Sequence, residues 1–103
     1  MSTTIEYVRF ECGDPEELAA RREGLVSLLR ERYADDFQGA LLARCEDGSL
    51  VDLLVWASPE AAARAAREMP GDPAAADYFT RVGHVHELRH AEVLHGAEPL
   101  LRA

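Results

Sequence analysis

ADDFQGALLARCEDGSLVDLLVWA, residues 34 to 57, carries two apolar runs separated by a short polar segment centred on Asp47-Gly48. That dipeptide is a strong hairpin signal, because both central positions of a tight two-residue turn can need positive φ. With Cys45 opposite Leu50, the register puts Phe37, Leu41, Ala43, Cys45, Leu50, Asp52, Leu54 and Trp56 on one face. Ala40, Leu42, Arg44, Val51, Leu53 and Val55 fall on the other. Both faces are therefore substantially apolar, whereas an antiparallel sheet covered on one side usually turns a polar face to water. Helices of the same chain can cover one face. The other then needs cover from elsewhere, and a second copy of the same sheet supplies it most simply.

Downstream, Ser58-Pro59-Glu60 has the cap, first-turn proline and first-turn acid of a helix start, and Met69-Pro70-Gly71 stops that helix near Glu68. Asp72-Pro73 restarts a helix through AAADYFTRV, with Tyr78, Phe79 and Val82 on a common face. Gly83 either ends it or lies within a longer helix reaching about Glu87. ELRHAEVLHG predicts a fourth strand ending near His95, and residues 96–103 a C-terminal tail. Upstream, IEYVRFE (5–11) has the aromatic and β-branched content of a first strand. Asp14 caps and Pro15 begins a helix over about 15–33, where Leu18, Leu25, Leu28, Leu29 and Tyr33 recur at helical spacing. The order is βαββαβ, that of an α+β, ferredoxin-like domain with a four-stranded antiparallel sheet, here one domain over residues 1–103.

Nineteen acidic residues against 11 basic ones, all arginine, give a net charge of -8, which argues against nucleic acid or an anionic membrane as partner. The chain contains no lysine and no asparagine, which excludes Schiff-base chemistry on a lysine and any site that needs an asparagine side chain. Cys12 and Cys45 have no neighbouring pair, so they suggest reduced, partly buried thiols rather than a disulfide framework or a zinc knuckle. MSTTIEYVRF lacks the positive and apolar regions of a signal peptide, and no run is long enough for a membrane span, so a cytoplasmic protein is expected.

The Trp-Ala-Ser-Pro-Glu junction (56–60), the alanine-rich helix after it, and Pro-Ala-Ala-Ala-Asp-Tyr-Phe (73–79) resemble the dimeric α/β-barrel proteins, in particular the antibiotic biosynthesis monooxygenase-like family, over roughly residues 4–95. The resemblance implies two ferredoxin-like subunits paired sheet to sheet, with one small pocket per subunit between sheet and helices. Some members of that family oxidise polycyclic phenols or quinols with molecular oxygen and no cofactor, and related ones cleave haem. The strand-end tryptophan of the family matches Trp56, which would line the pocket. Active oxygenases commonly pair that tryptophan with an asparagine, which this chain lacks; Tyr7 is a candidate lining residue in its place. The haem-degrading branch carries a histidine about ten residues after the tryptophan, where this chain has Ala66.

Besides Tyr7, five side chains are candidates for a site. Trp56 is either the wall of a pocket for a flat, mostly apolar ligand or a core residue hydrogen-bonded through its indole nitrogen. Asp52, alone in an apolar strand, is either a general base with a raised proton affinity or a structural carboxylate paired with an arginine. His86 is the preferred histidine of HVHELRH because it follows Tyr78, Phe79 and Val82 at roughly helical spacing, and the segment has too few convergent ligands to make a metal site specific. Tyr78 could orient a ligand oxygen, Phe79 could line the same pocket, and Arg44 is expected to pair across the dimer. Two functions follow: a cofactor-independent oxygenase-like protein acting on a small aromatic or quinol-like molecule, or a noncatalytic binder of such a molecule.

Overall fold

The computed structural model describes residues 2–96; the expected tail lies outside them except for Gly96. The elements are β1 (Thr4–Phe10), α1 (Pro15–Tyr33), β2 (Phe37–Arg44), β3 (Leu50–Trp56), α2 (Pro59–Glu68), α3 (Ala76–Phe79) and β4 (Val85–Glu92), with short 3-10 turns over Ala34–Asp36 and Pro73–Ala75. The four strands form one antiparallel sheet in the order β2-β3-β1-β4. This is the ferredoxin-like arrangement that the element order predicts.

Both long helices begin where their caps place them. The Asp14 side chain accepts from the Glu17 amide at 3.1 Å, and the Ser58 hydroxyl accepts from the Ala61 amide at 3.1 Å. From α1, Leu18, Leu25, Leu29 and Tyr33 are buried, and so is Arg22 between them. The buried face of α2 is Ala61, Ala62 and Ala65, side chains too small to fill the space between helix and sheet. Phe10, Trp56, Phe37 and Met69 close the rest of the core, each large apolar side chain contributing about 1.5–3 kcal/mol on burial.

The hairpin register differs by one residue from the expected one. The Gly48 amide donates to the Cys45 carbonyl at 3.0 Å and the Cys45 amide to the Ser49 carbonyl at 2.8 Å. Glu46, Asp47 and Gly48 thus form a three-residue loop in which Gly48 alone has positive φ, at 90°. Asp47 favours this turn by accepting from both the amide and the hydroxyl of Ser49. Arg44, not Cys45, therefore lies opposite Leu50, and Leu42 opposite Asp52. The helix-facing side of β2 is Ala40, Leu42 and Arg44, while Leu41 and Ala43 face outward; a register shift between Phe37 and Gly39 returns Phe37 to a place opposite Trp56. Arg44 consequently pairs with Glu16 at the start of α1, at 2.7 Å, instead of facing a partner subunit. The facing of β3 is as expected.

The second helical region ends at Phe79, before Gly83 is reached. The Gly83 amide donates to the Glu11 carbonyl and the Glu11 amide to the His84 carbonyl, both at 2.8 Å, so the chain is already pairing with the end of β1. A Cβ at Gly83 would stand 2.7 Å from the Glu11 carbonyl oxygen, which leaves no room for a side chain. The helix expected through AAADYFTRV reduces to a 3-10 turn and the single turn of α3. Among the described residues no helix is long and apolar enough to cross a membrane.

Candidate functional site

The register places Thr4, Glu6, Val8 and Phe10 of β1 on the same face as Leu50, Asp52, Leu54 and Trp56 of β3, with Leu88 and His90 of β4 alongside. Between this face and the helices lies a cavity of about 270 Å³. Its walls are mainly apolar, including Leu25 and Leu29 from α1, Ala65 and Ala66 from α2, and Phe79, Val82 and Leu88. Leu88 is 58% exposed although it lines the cavity, so the space is open toward β4. Four polar or amphipathic side chains interrupt the apolar lining: Glu6, Asp52, Tyr78 and Trp56.

Trp56 is a wall of this space and is fully buried. Its ring packs edge-on against Tyr33 and at 62° to Phe37, with both centroids 5.4 Å away. Among the described residues its indole Nε1 has no hydrogen-bond partner, so the satisfied-core reading of this side chain holds for the ring and fails for the nitrogen. A buried donor left unmade costs free energy.

Asp52 is 4% exposed. Arg22 reaches it from α1 through Nη2 at 2.6 Å and Nε at 3.3 Å, and the Tyr78 hydroxyl donates to it at 2.5 Å. The carboxylate is thus paired with an arginine, as one of the two expected alternatives has it, and hydrogen-bonded besides. Burial, the Asp52 charge and the hydrogen bond to it push the Tyr78 hydroxyl far above the usual phenol range, so it stays a donor. Burial alone would lower the Arg22 value, and the hydrogen bond and charge of Asp52 more than offset that.

Glu6 was not legible as a site residue. It lies on the inner face of β1, lines the cavity, and meets His90 across the β1/β4 pair with 3.3 Å between Oε2 and Nε2. Burial raises its proton affinity above the usual glutamate range; His90 opposes that rise and the Asp52 charge adds to it. Arg22 was missed as well, although its position four residues after Leu18 sets it on the buried stripe of α1.

The remaining expected residues separate. Phe79 lines the cavity and packs edge-on against Tyr78 at 5.2 Å. Tyr7 does not line it, because β1 turns Tyr7 outward with Leu53 and Arg89. His86 does not line it either: a register shift at Arg9/Phe10 interrupts the pairing with β4, and His86 hydrogen-bonds Glu11 with its ring 4.9 Å from that of His84. His86 and Asp52 are therefore not brought together. Among the described residues no three His, Cys, Asp or Glu side chains gather where they could hold a metal ion, and both cysteines are free and half-buried.

No family model matches the sequence, and no curated protein matches it. Solved structures do. SnoaB, a cofactor-independent oxygenase from Streptomyces nogalater, is 19% identical, with 96% of this chain and 99% of that one covered and a TM-score of 0.63. A Chloroflexus aurantiacus protein named as an antibiotic biosynthesis monooxygenase is 16% identical over 93% of this chain and 97% of its own, at a TM-score of 0.60. A dimeric ferredoxin-like protein from an uncultured marine organism reaches 0.63 at 10% identity, covering 94% and 92%. Identities this low speak for the fold, and at that level the chain is similar to the antibiotic biosynthesis monooxygenase-like proteins that its tryptophan junction resembles.

Proposed function

We propose that the cavity binds a small aromatic or quinol-like molecule bearing a hydroxyl or carbonyl oxygen, and that the protein is a cofactor-independent monooxygenase acting on it. The observation that carries this reading is an open, mainly apolar space walled by Trp56, with a few buried polar groups in its lining. The ring of the ligand lies against Trp56 and Phe79. Tyr78, held in place by Asp52 and Arg22, has its one proton already given to Asp52 and so meets the ligand as an acceptor for a hydroxyl. Asp52 acts here by positioning rather than as the base, since its oxygens already accept from Arg22 and Tyr78.

Removal of a proton leaves an electron-rich anion that reacts with O2. An activated ring methylene gives up two hydrogens, one oxygen atom becomes its new carbonyl and the other leaves as water with those hydrogens, so no external reductant is required. The test is oxygen uptake with a panel of anthrones, which carry such a methylene, alongside quenching of the single tryptophan's fluorescence; a hydroquinone would instead be oxidised to its quinone with hydrogen peroxide as the other product. Acceleration over the uncatalysed rate together with saturable quenching is expected. Saturable quenching without acceleration favours the second reading, a noncatalytic binder, for which the full occupation of Asp52 speaks. Trp56→Phe leaves the fold intact and weakens aromatic binding; unchanged affinity would remove the indole from the site.

In the same reading the outer face of the sheet pairs with a second copy, giving a dimeric α/β barrel. Val51, Leu53, Leu41 and Tyr7 are only half-buried there, while Val55 is buried. One structure of similar fold is itself a dimer. Sedimentation at micromolar concentration checks this, with Leu53→Glu expected to yield a single-chain species; a wild-type monomer would overturn it.

A further inference from the structure

Asp52 and Glu6 stand on neighbouring strands and face one cavity, yet their surroundings differ in a way that assigns them different work. Both Asp52 oxygens are engaged, by a guanidinium and a phenol. Glu6 meets only His90 through Oε2, and its Oε1 has no hydrogen-bond partner among the described residues. The side chain of Glu6 is 9% exposed and that of His90 34%, so the pair runs from the enclosed space to solvent at the edge strand. Around Glu6, β3 presents Asp52 and β4 presents His90; Arg22 of α1 and Tyr78 of α3 are bound to Asp52. The lining that α2 contributes is Ala65 and Ala66, which cannot titrate.

We infer that Glu6 takes the proton from a hydroxyl-bearing ligand in this cavity and that His90 carries it out to water. The ligand O–H bond breaks with its electron pair remaining on the ligand oxygen, and a new O–H bond forms on the Glu6 carboxylate. Glu6 then gives a proton to Nε2 of His90, and the imidazolium releases one to solvent, which returns both groups to their starting states. This rests on the reading that the cavity takes such a ligand. Burial prepares Glu6 for the task by raising its proton affinity above that of an ordinary exposed carboxylate.

Three measurements on the full chain separate the two ideas. Para-nitrophenol, whose anion is yellow, is added to wild type and to Glu6→Gln, with Trp56 quenching as the record of binding. An ionised Glu6 facing the ligand oxygen raises the pH at which bound phenol turns yellow, and Glu6→Gln lowers that midpoint by about one pH unit. Equal midpoints in two proteins that both bind would overturn the inference while leaving the cavity reading standing; absence of saturable quenching in wild type would overturn both. Secondly, the imidazole nitrogens of His90 are recorded by NMR without ligand. Loss of the carboxylate in Glu6→Gln moves the Nε2 resonance, and an unmoved resonance breaks the proposed link whatever the ligand.

Finally, oxygen uptake falls about a hundredfold or more in Glu6→Gln while probe affinity is retained. His90→Gln, at a half-exposed position that folding tolerates, keeps binding but moves the acid limb of the rate profile to higher pH, because the group that favours the Glu6 anion is gone. An acid limb in the same place would remove His90 from the path. Wild type that binds the probe yet consumes no oxygen loses the oxygenase reading alone, since the phenol midpoint still tests Glu6.

Discussion

The two ends of the cavity's polar side teach different lessons about a buried carboxylate. At the Asp52 end, α1 supplies Arg22 and α3 supplies Tyr78, and charge, donors and geometry are matched. At the Glu6 end a carboxylate of similar burial has one histidine at 3.3 Å. A satisfied carboxylate ties three elements together and has little left to offer a ligand. An under-satisfied one costs stability and keeps its chemistry available, which is the usual mark of a working group rather than a packing one. The difference can be measured, and the largest effect belongs to the end that is matched.

Arg22→Leu leaves the Asp52 charge buried without its cation and destabilises the fold by about 3–5 kcal/mol, read as a lowered urea midpoint. The double variant Arg22→Leu, Asp52→Leu recovers most of that loss, because removing both partners of a buried pair is often close to neutral. Failure of the second substitution to rescue the first would mean that Arg22 acts by packing rather than by pairing. Tyr78→Phe is milder. It keeps the edge-on contact with Phe79 and removes one donor from Asp52, for a loss of about 1–2 kcal/mol. An effect as large as that of Arg22→Leu would show that the hydroxyl, not the guanidinium, holds the carboxylate.

This contrast was only partly visible in the sequence. Caps and stops are local, and Asp14, Ser58 and Met69-Pro70-Gly71 fixed the two long helices to within a residue or so. Asp52 stood out as a lone acid in an apolar strand, and an arginine partner was one of its two expected fates. The arginine itself could have been found, since Arg22 is in phase with Leu18, Leu25 and Leu29. Glu6 could not. In β1 the sets Thr4, Glu6, Val8, Phe10 and Ile5, Tyr7, Arg9 are mixed in polarity alike, so alternation does not choose between them and only the pairing with β3 does. That ambiguity leaves Tyr7 as eligible as Glu6 in the sequence, although Tyr7 faces outward. His86 was misplaced for a related reason: backbone pairing of Gly83 and His84 with Glu11 begins the strand early, and no side-chain period records it. The hairpin slipped by one residue because a three-residue turn uses the same Asp47-Gly48 as a two-residue one.

The smallest effect has the opposite sign and tests the under-satisfied end. Burial raises the proton affinity of Glu6, with Asp52 adding to the rise and His90 only partly opposing it. The folded protein therefore holds a proton at Glu6 more tightly than the unfolded chain does. The contribution of this carboxyl to stability is fully present below its ordinary value of 4.5 and is lost as the pH climbs through the raised one. Glutamine has the same shape and no charge to bury. Glu6→Gln should thus be more stable than wild type at neutral pH by about 1 kcal/mol, in urea unfolding, even as it loses oxygen uptake. The advantage should shrink as the pH falls and the wild-type carboxyl regains its proton. A variant that is less stable than wild type at neutral pH would show that the contact with His90 outweighs desolvation, and Glu6 would then be a second matched carboxylate like Asp52, held for the fold and not for a ligand.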